Sequence, residues 1–322
     1  MLAPLAPVAW RLRVRAPRLL VLMYHRVLPA AHPDRAIEQP GMYVSPETLD
    51  MHLAVLKRHF QMVHLDDWLS DADAGRPLPS QACALTFDDG WRDNFEHAFP
   101  VLRKHATPAT IFLVSTMTGT AQVFWPNRLG RLLTRVPAGE RLPGALGELL
   151  APLTTRASAP LQLVQIDQAI VLAKQLDEPR LAAALDEAEG RWGAPSDARA
   201  VLDEKEITAM AQSGLVRFGS HTRTHFRLRG TVAPEILERE IGLSGEEIGR
   251  GAGRPASLFC YPNGDLTTAA VDVVRRHYIG AVTTRKGWYV ASGDRYLVPR
   301  IGVHEDISNR PATFLARIGG LV

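Results

Sequence analysis

The sequence predicts an α/β fold: a (β/α) barrel of seven or eight mostly parallel strands, interrupted by an inserted helical subdomain. Short apolar runs recur along the 322 residues with amphipathic stretches between them, the pattern of a parallel sheet with crossover helices. Apolar residues make up 46% of the chain, enough for one large core. One stretch between two runs is too long for an ordinary βα loop and has helical patterning of its own.

The runs that read as strands are LVLMYH (20–25), QMVHL (61–65), CALTF (83–87), ATIFLV (109–114), LVRFGSH (215–221), SLFCYP (257–262), IGAVTT (279–284) and YLVPRIGV (296–303). Ser45-Pro46-Glu47 opens a helix that carries Leu49, Leu53, Leu56 and Phe60 at helical spacing, with proline in its first turn. A second helix lies within 231–249, beginning near Pro234-Glu235, and a third within 267–278. Each sits where a βα unit needs its crossover. The stretch 115–203 breaks the rhythm with FWPNRLGRLL, a Pro/Gly/Thr-rich segment, then LQLVQIDQAIVLAKQL and PRLAAALDEAEGRW, and reads as the inserted subdomain. The barrel itself then spans 18–322 around it, and 1–17 forms a basic N-terminal arm.

The formal net charge is only +3, too small for a nucleic-acid footprint. The apolar run after Arg11, Arg13, Arg15 and Arg18 is too short for a signal peptide, and no stretch approaches the length of a transmembrane helix. Cys83 and Cys260 each sit inside a strand run, as buried reduced thiols do. These features point to the cytoplasm, with peripheral contact at the inner face of a membrane open to the arginine arm. The oligomeric state is not written in the sequence.

Two clusters carry chemistry. Thr86-Phe87-Asp88-Asp89-Gly90 ends the run CALTF with adjacent carboxylates, which repel and lose solvation there; a cation relieves both, although Asp89-Gly90 at the corner of a polar turn is the other reading. Ser220-His221-Thr222-Arg223-Thr224-His225 follows LVRFG with two imidazoles four residues apart, on a strand-end loop where both can converge on one ion. In a parallel barrel all strand C-termini share one face, so Asp88, Asp89, His221 and His225 meet on one rim. Two imidazoles and one carboxylate, with open positions, make a plausible catalytic zinc site.

TFDDG, then SHTRTH far downstream, then LFCYPNG, in that order, resembles the polysaccharide deacetylase family, also called carbohydrate esterase family 4, or the NodB homology domain; the likeness covers about 18–115 and 202–305. The resemblance implies a distorted (β/α) barrel and a divalent metal, zinc first, with cobalt, nickel or manganese as alternatives. It makes Asp88 the general base and Asp89, His221 and His225 the metal ligands. Leu258 to Gly264 resembles the motif whose Pro-x-Gly turn brings backbone N–H groups to the substrate carbonyl, assigning Tyr261, Pro262, Asn263 and Gly264 to substrate or oxyanion binding. Where many members place an arginine that holds the base, this chain has Cys260, so Arg254 or Arg300 must substitute or the tether is absent. Arg300-Ile301-Gly302-Val303-His304 resembles the final motif and makes His304 the general acid, with a surface histidine as the alternative. Tyr24-His25-Arg26-Val27 matches a signature of a subset and makes His25 a site-lining candidate, or else a structural histidine. Trp91 and Trp125 are sugar-stacking or core tryptophans.

The implied activity is hydrolysis of an N-acetyl or similar small acyl group on a sugar, with an N-acetylated monosaccharide, oligosaccharide or lipid-linked glycan precursor as partner. A non-haem iron oxygenase shares the two-histidine, one-carboxylate set but normally sits on antiparallel jelly rolls. A glycan-binding pseudoenzyme conflicts with the presence of every ligand and the base. The insertion leaves ATIFLV at its C-terminal end, so it is expected to be a substrate-selecting lid, its residues Leu161, Val164, Ile166, Ile170, Leu172 and Leu176 packing on the barrel or receiving a lipid carrier.

Overall fold

Residues 17–137, 139–154, 161–193 and 199–321 are described by a computed structural model. The arginine arm, with Arg11, Arg13 and Arg15 and the membrane contact expected of it, lies outside them. Eleven strands occur among the described residues: β1 (Arg18–Tyr24), β2 (Arg26–Val27), β3 (Tyr43–Val44), β4 (Gln61–Met62), β5 (Gln81–Phe87), β6 (Ala109–Leu113), β7 (Val216–Ser220), β8 (Leu258–Cys260), β9 (Gly280–Val282), β10 (Tyr289–Val290) and β11 (Ile301–Gly302). The main sheet runs β10-β1-β5-β6-β7-β8-β9, with β4 paired to β5 and β11 to β1, and every pairing is parallel except β10 with β1. Seven strands thus curl into a half-barrel. Val298 bridges to Val282 of β9 while Ile301 pairs with Leu22 of β1, so 298–302 spans the gap between the sheet's two ends.

The strands are buried on both faces, which is why their sequences read as continuous apolar runs. Leu20, Leu22 and Tyr24 of β1 and Cys83, Leu85 and Phe87 of β5 face the outer core, shared with the covering helices. Leu19, Val21, Ala82 and Ala84 face the barrel interior with Phe112, Leu258, Cys260 and Trp68. The outer helices have the starts expected of them: the Ser45 side chain caps Pro46–Leu56 by accepting from the Thr48 N–H, and Thr267 caps Thr268–His277 in the same way.

Several expected strands are shorter than their apolar runs. Of QMVHL only Gln61–Met62 is strand, because Leu65 already opens the helix Leu65–Asp73, whose Leu65, Trp68 and Leu69 fill the interior. Of YLVPRIGV only Ile301–Gly302 pairs as a strand, since Pro299 has no N–H for a ladder. The helix expected within 231–249 is broken by a π-turn, Glu238–Gly242, between Pro234–Leu237 and Leu243–Ala252.

The chain divides into two compact units, and the sheet belongs to the one made of 1–29, 40–120 and 201–322. The other, 30–39 with 121–200, is helical and has a separate core of Leu129, Leu133, Leu146, Leu150, Ile166, Ile170 and Leu185, joined by Ile37. Its helices are Trp125–Leu133, Gly144–Thr154, Leu163–Ala173 and Glu178–Trp192. The second of these forms in the stretch that reads as Pro/Gly/Thr-rich. Asn127 donates to Glu38 at 2.8 Å, both buried, which ties 30–39 into that unit. No helix among the described residues is long and apolar enough to cross a membrane.

Candidate active site

Parallel pairing and its register put the chemistry at one end of the sheet. Tyr24 pairs with Phe87, Phe87 with Ile111, and Leu113 with Ser220. The residues that follow these strand ends, His25, Asp88 and His221, therefore emerge side by side, and the next strand, β8, ends there at Cys260.

Asp88 is buried, and its N–H is donated to the Tyr24 carbonyl at 2.9 Å. Its carboxylate accepts both arms of the Arg300 guanidinium, Nη1 to Oδ1 at 2.7 Å and Nη2 to Oδ2 at 2.8 Å. Arg300, also fully buried, donates further to Thr86 Oγ1, the Thr283 carbonyl and Cys260 Sγ at 3.0, 3.0 and 3.2 Å. The Cys260 thiol lies 3.5 Å from Asp88 Oδ2. The open question of the tether is thus answered by Arg300, whereas Arg254 pairs with Asp66. Burial works to raise the Asp88 pKa, but the charge and hydrogen bonds of Arg300 outweigh it and hold the carboxyl below its usual range.

Asp89 turns the other way. It adopts a left-handed backbone, φ 76°, and aims Oδ1 at two imidazoles, 3.4 Å from His221 Nε2 and 3.5 Å from His225 Nε2. The three donor atoms lie within 4.8 Å of one another. His221 Nδ1 is 2.8 Å from the Cys260 carbonyl; with the proton on Nδ1 it donates there, which leaves the Nε2 lone pair facing Asp89. Asp89 Oδ2 accepts the Trp91 indole N–H at 3.1 Å. Burial disfavours a charged His221, and Cys260, with the Asp89 and Asp88 carboxylates, overcomes it and raises its pKa, while burial and the charge of His221 push His225 down to about 4. A second group, Asp88, His221 and Cys260, is equally compact. It suits a cation poorly, because Arg300 already occupies both oxygens of Asp88 and burial pushes the Cys260 thiol up, away from thiolate.

His25 stands at the edge of this cluster, Nε2 at 3.8 Å from Asp88 Oδ2 and partly exposed. His304 follows β11, whose parallel pairing with β1 (Met23 with Gly302, Val303 N–H to the Met23 carbonyl at 3.2 Å) brings it to the same strand end as His25, and its Nδ1 is hydrogen-bonded to Asp306. The Pro262–Gly264 turn forms, with Asn263 and Gly264 both left-handed, and a Cβ on Gly264 would lie 2.0 Å from Thr284 Oγ1. Of the N–H groups at the turn, Tyr261 N–H goes to the Val282 carbonyl at 3.3 Å and Gly264 N–H to the Tyr261 carbonyl at 2.9 Å. The Tyr261 side chain lies in the core and donates to the Tyr296 carbonyl, so it does not line the site. Asn263 is exposed.

Sequence reasoning passed over the residues that tie His25 to the acidic motif. Asp93 accepts from Arg26 Nε at 2.9 Å and from the Val27 N–H at 2.8 Å, and Asn94 donates to the His25 carbonyl at 2.8 Å. Arg26 lies over the Trp91 ring, 4.2 Å from its centroid. Trp91 is therefore a packed, hydrogen-bonding support for Asp89 and not a sugar platform. The signal available was WRDN directly after DDG, polar residues too many for a turn alone.

A family model described as polysaccharide deacetylase matches residues 75–149 and 166–282. This chain belongs to the polysaccharide deacetylase family. Asp88, Asp89, His221, His225 and 261–264 fall inside the matched residues, whereas His25, Arg300 and His304 fall outside. Two curated relatives match parts of the chain. The YxkH protein of Bacillus subtilis (strain 168) is 29% identical over 119 residues, 34% of this chain and 37% of that protein. The poly-beta-1,6-N-acetyl-D-glucosamine N-deacetylase of Escherichia coli (strain K12) is 34% identical over 77 residues, 24% of this chain and 12% of that protein. The matches thus span about a third and an eighth of those proteins. Among solved structures, the Streptococcus pyogenes deacetylase PplD in complex with acetate has a TM-score of 0.62 at 17% identity, covering 94% of this chain and 99% of that one. IcaB from Ammonifex degensii has a TM-score of 0.58 at 19% identity, covering 93% and 97%. At such identities the structural likeness establishes the deacetylase (β/α) barrel fold.

Proposed function

We propose that this member of the polysaccharide deacetylase family is a metal-dependent amide hydrolase that removes an N-acetyl, or similarly small acyl, group from a sugar. One juxtaposition carries the reading: the donor set Asp89, His221 and His225 sits beside a second buried carboxylate, Asp88, that faces Arg300 instead. The donor set fits a divalent cation. It offers two imidazole nitrogens and one carboxylate oxygen, the mixture zinc favours and cobalt, nickel or manganese accept. Three left-handed non-glycine residues, Asp89, Thr222 and His225, shape it, the kind of strain that a functional constraint sustains. When bound there, the cation supplies Lewis-acid stabilisation of the negative charge that develops on the acyl oxygen.

The chain's own groups divide the proton work. Asp88 is ionised and accepts the proton of the attacking water. Of its roughly four lone-pair sites, Arg300 and the Cys260 thiol occupy three, which leaves one for that proton while the carboxylate cannot rotate. Cleavage of the C–N bond needs a proton on the leaving amine, and His25 is the imidazole outside the donor set that adjoins Asp88. We therefore propose His25 as the proton donor, with His304, which follows β11 at the same strand end, as the alternative. The named substrate of the E. coli relative supports an N-acetylhexosamine glycan, as polymer or lipid-linked precursor, as the substrate here. An oxygenase could use the same three donors, but the clamped Asp88 has work in hydrolysis and none in oxygen activation.

The test is acetate release and product mass after incubation of the purified protein, with added zinc or cobalt, with β-1,6-linked N-acetylglucosamine oligomers, other N-acetylated oligosaccharides and lipid-linked N-acetyl sugars. Activity is expected to vanish on chelation and return with metal under anaerobic conditions. Strict dependence on oxygen and a co-substrate would overturn the reading.

A further inference from the structure

His221 and His225 reach the same point only because the backbone between them turns left-handed twice, at Thr222 (φ 65°) and at His225 itself (φ 60°). Non-glycine residues adopt that region rarely, and it persists where the surroundings over-determine it. The loop's backbone is indeed held at every step. The Thr222 carbonyl accepts from Ser115 N–H at 3.3 Å, the Arg223 carbonyl accepts from Thr116 N–H at 3.0 Å, and Arg223 N–H goes to the Glu240 carbonyl at 3.1 Å. The remaining step, Thr224, is held by a side chain. Its N–H and its hydroxyl both donate to Glu240 Oε2, each at 3.0 Å.

Glu240 is 2% exposed, an unusual place for a carboxylate without a compensating role. It sits in the π-turn Glu238–Gly242, and the shifted register of such a turn, often found at functional sites, presents both its carbonyl and its side chain to the histidine loop. We propose that Glu240 is a positioning residue for cation binding: through Thr224 it holds His225 where its Nε2 meets Asp89 and His221. This rests on the metal-dependent reading above. Partners that orient ligands in this way are commonly worth 10–100-fold in metal affinity, about the size of effect expected here.

The experiment measures zinc and cobalt(II) affinity of the full-length protein by competition with a chromogenic chelator, together with the cobalt d–d spectrum and far-UV circular dichroism. Glu240→Ala is expected to bind about 10–100-fold more weakly, with an altered cobalt spectrum and unchanged helix content. Glu240→Gln keeps an oxygen that can accept both Thr224 bonds and is expected to stay within a few-fold of wild type. The proposal fails if Glu240→Ala binds like wild type, or if Glu240→Gln is as weak as Glu240→Ala. Should Glu240→Ala not fold, Thr224→Val, which loses the hydroxyl bond alone, must still weaken binding, and wild-type affinity in that variant overturns the proposal. Failure of the wild-type protein itself to bind metal would instead remove the functional reading, and this inference with it.

Discussion

Replacing Arg300 by methionine tests the clamp on Asp88 most directly. The substitution roughly keeps the length of the side chain and removes every donor: two bonds to Asp88, at 2.7 and 2.8 Å, and those to Thr86, the Thr283 carbonyl and Cys260. Both partners are buried, so breaking the pair from one side strands a carboxylate at a cost of about 3–5 kcal/mol. The sign of the pH dependence follows from the shift. In the wild type the folded Asp88 pKa lies below its ordinary 3.8, so its stabilising contribution is present above that value and is lost as pH falls through the folded pKa. In Arg300→Met the chief opposition to burial is gone, leaving only His25 and His221, so the pKa rises and the variant's carboxyl is neutralised at higher pH than the wild type's. The stability gap between the two proteins is therefore widest near neutral pH and narrows toward about pH 4. Urea unfolding at both pH values, in wild-type and Asp88→Asn backgrounds, reads this out. In the Asn background the buried guanidinium is itself the stranded charge, so replacing it should cost little or be a net gain. A cost that is equal in the two backgrounds, or below about 1 kcal/mol in the wild-type one, would refute the reasoning.

Three further outcomes are expected. Asp89→Asn, His221→Ala and His225→Ala should each purify with little metal while Asp88→Asn retains metal and loses turnover; normal metal content in His221→Ala would break the ligand assignment. His25→Ala should lose most of its kcat with metal retained, whereas His304→Ala keeps it, and the reverse pattern would return the acid role to His304. The third concerns His52, stacked on Phe314 and bonded to Tyr24 OH at 3.0 Å and the Ser308 carbonyl at 2.7 Å, whose pKa burial depresses from 6.5 to about 4. The unfolded chain then binds the proton first as pH falls. Stability should drop by about 2 kcal/mol between pH 7.5 and 5 through this group, a loss that His52→Gln lacks in denaturant titrations.

The family and the motifs were legible from local sequence because the strands are buried on both faces and their ends carry polar residues that a strand end alone does not need. TFDDG and SHTRTH announced themselves in this way. The supporting residues were fainter: the polar excess of WRDN hints at Asp93 and Asn94, while Glu240 lies in a segment whose composition is ordinary for a crossover helix. All three fall at or within π-turns, Asn94–Ala98 and Glu238–Gly242, which have no reliable sequence signature. The helix Gly144–Thr154 was equally hidden, since Pro152 and flanking glycines mask a face that Leu146 and Leu150 bury.

By itself the sequence determined the parallel α/β architecture, the identity of the two acidic and two imidazole groups, and the order in which strands deliver them. Those depend on side-chain periodicity and on chemistry that neighbours in the chain already display. Only the tertiary structure decided that Arg300, from beyond Pro299, grips Asp88, that His25 Nε2 lies 3.8 Å from it, and that the Tyr261 side chain turns into the core. Each of these is a matter of strand register and of which face a residue takes after the last hydrogen-bonded pair. A shift of one position there reverses the direction of the side chain, and no local preference encodes it.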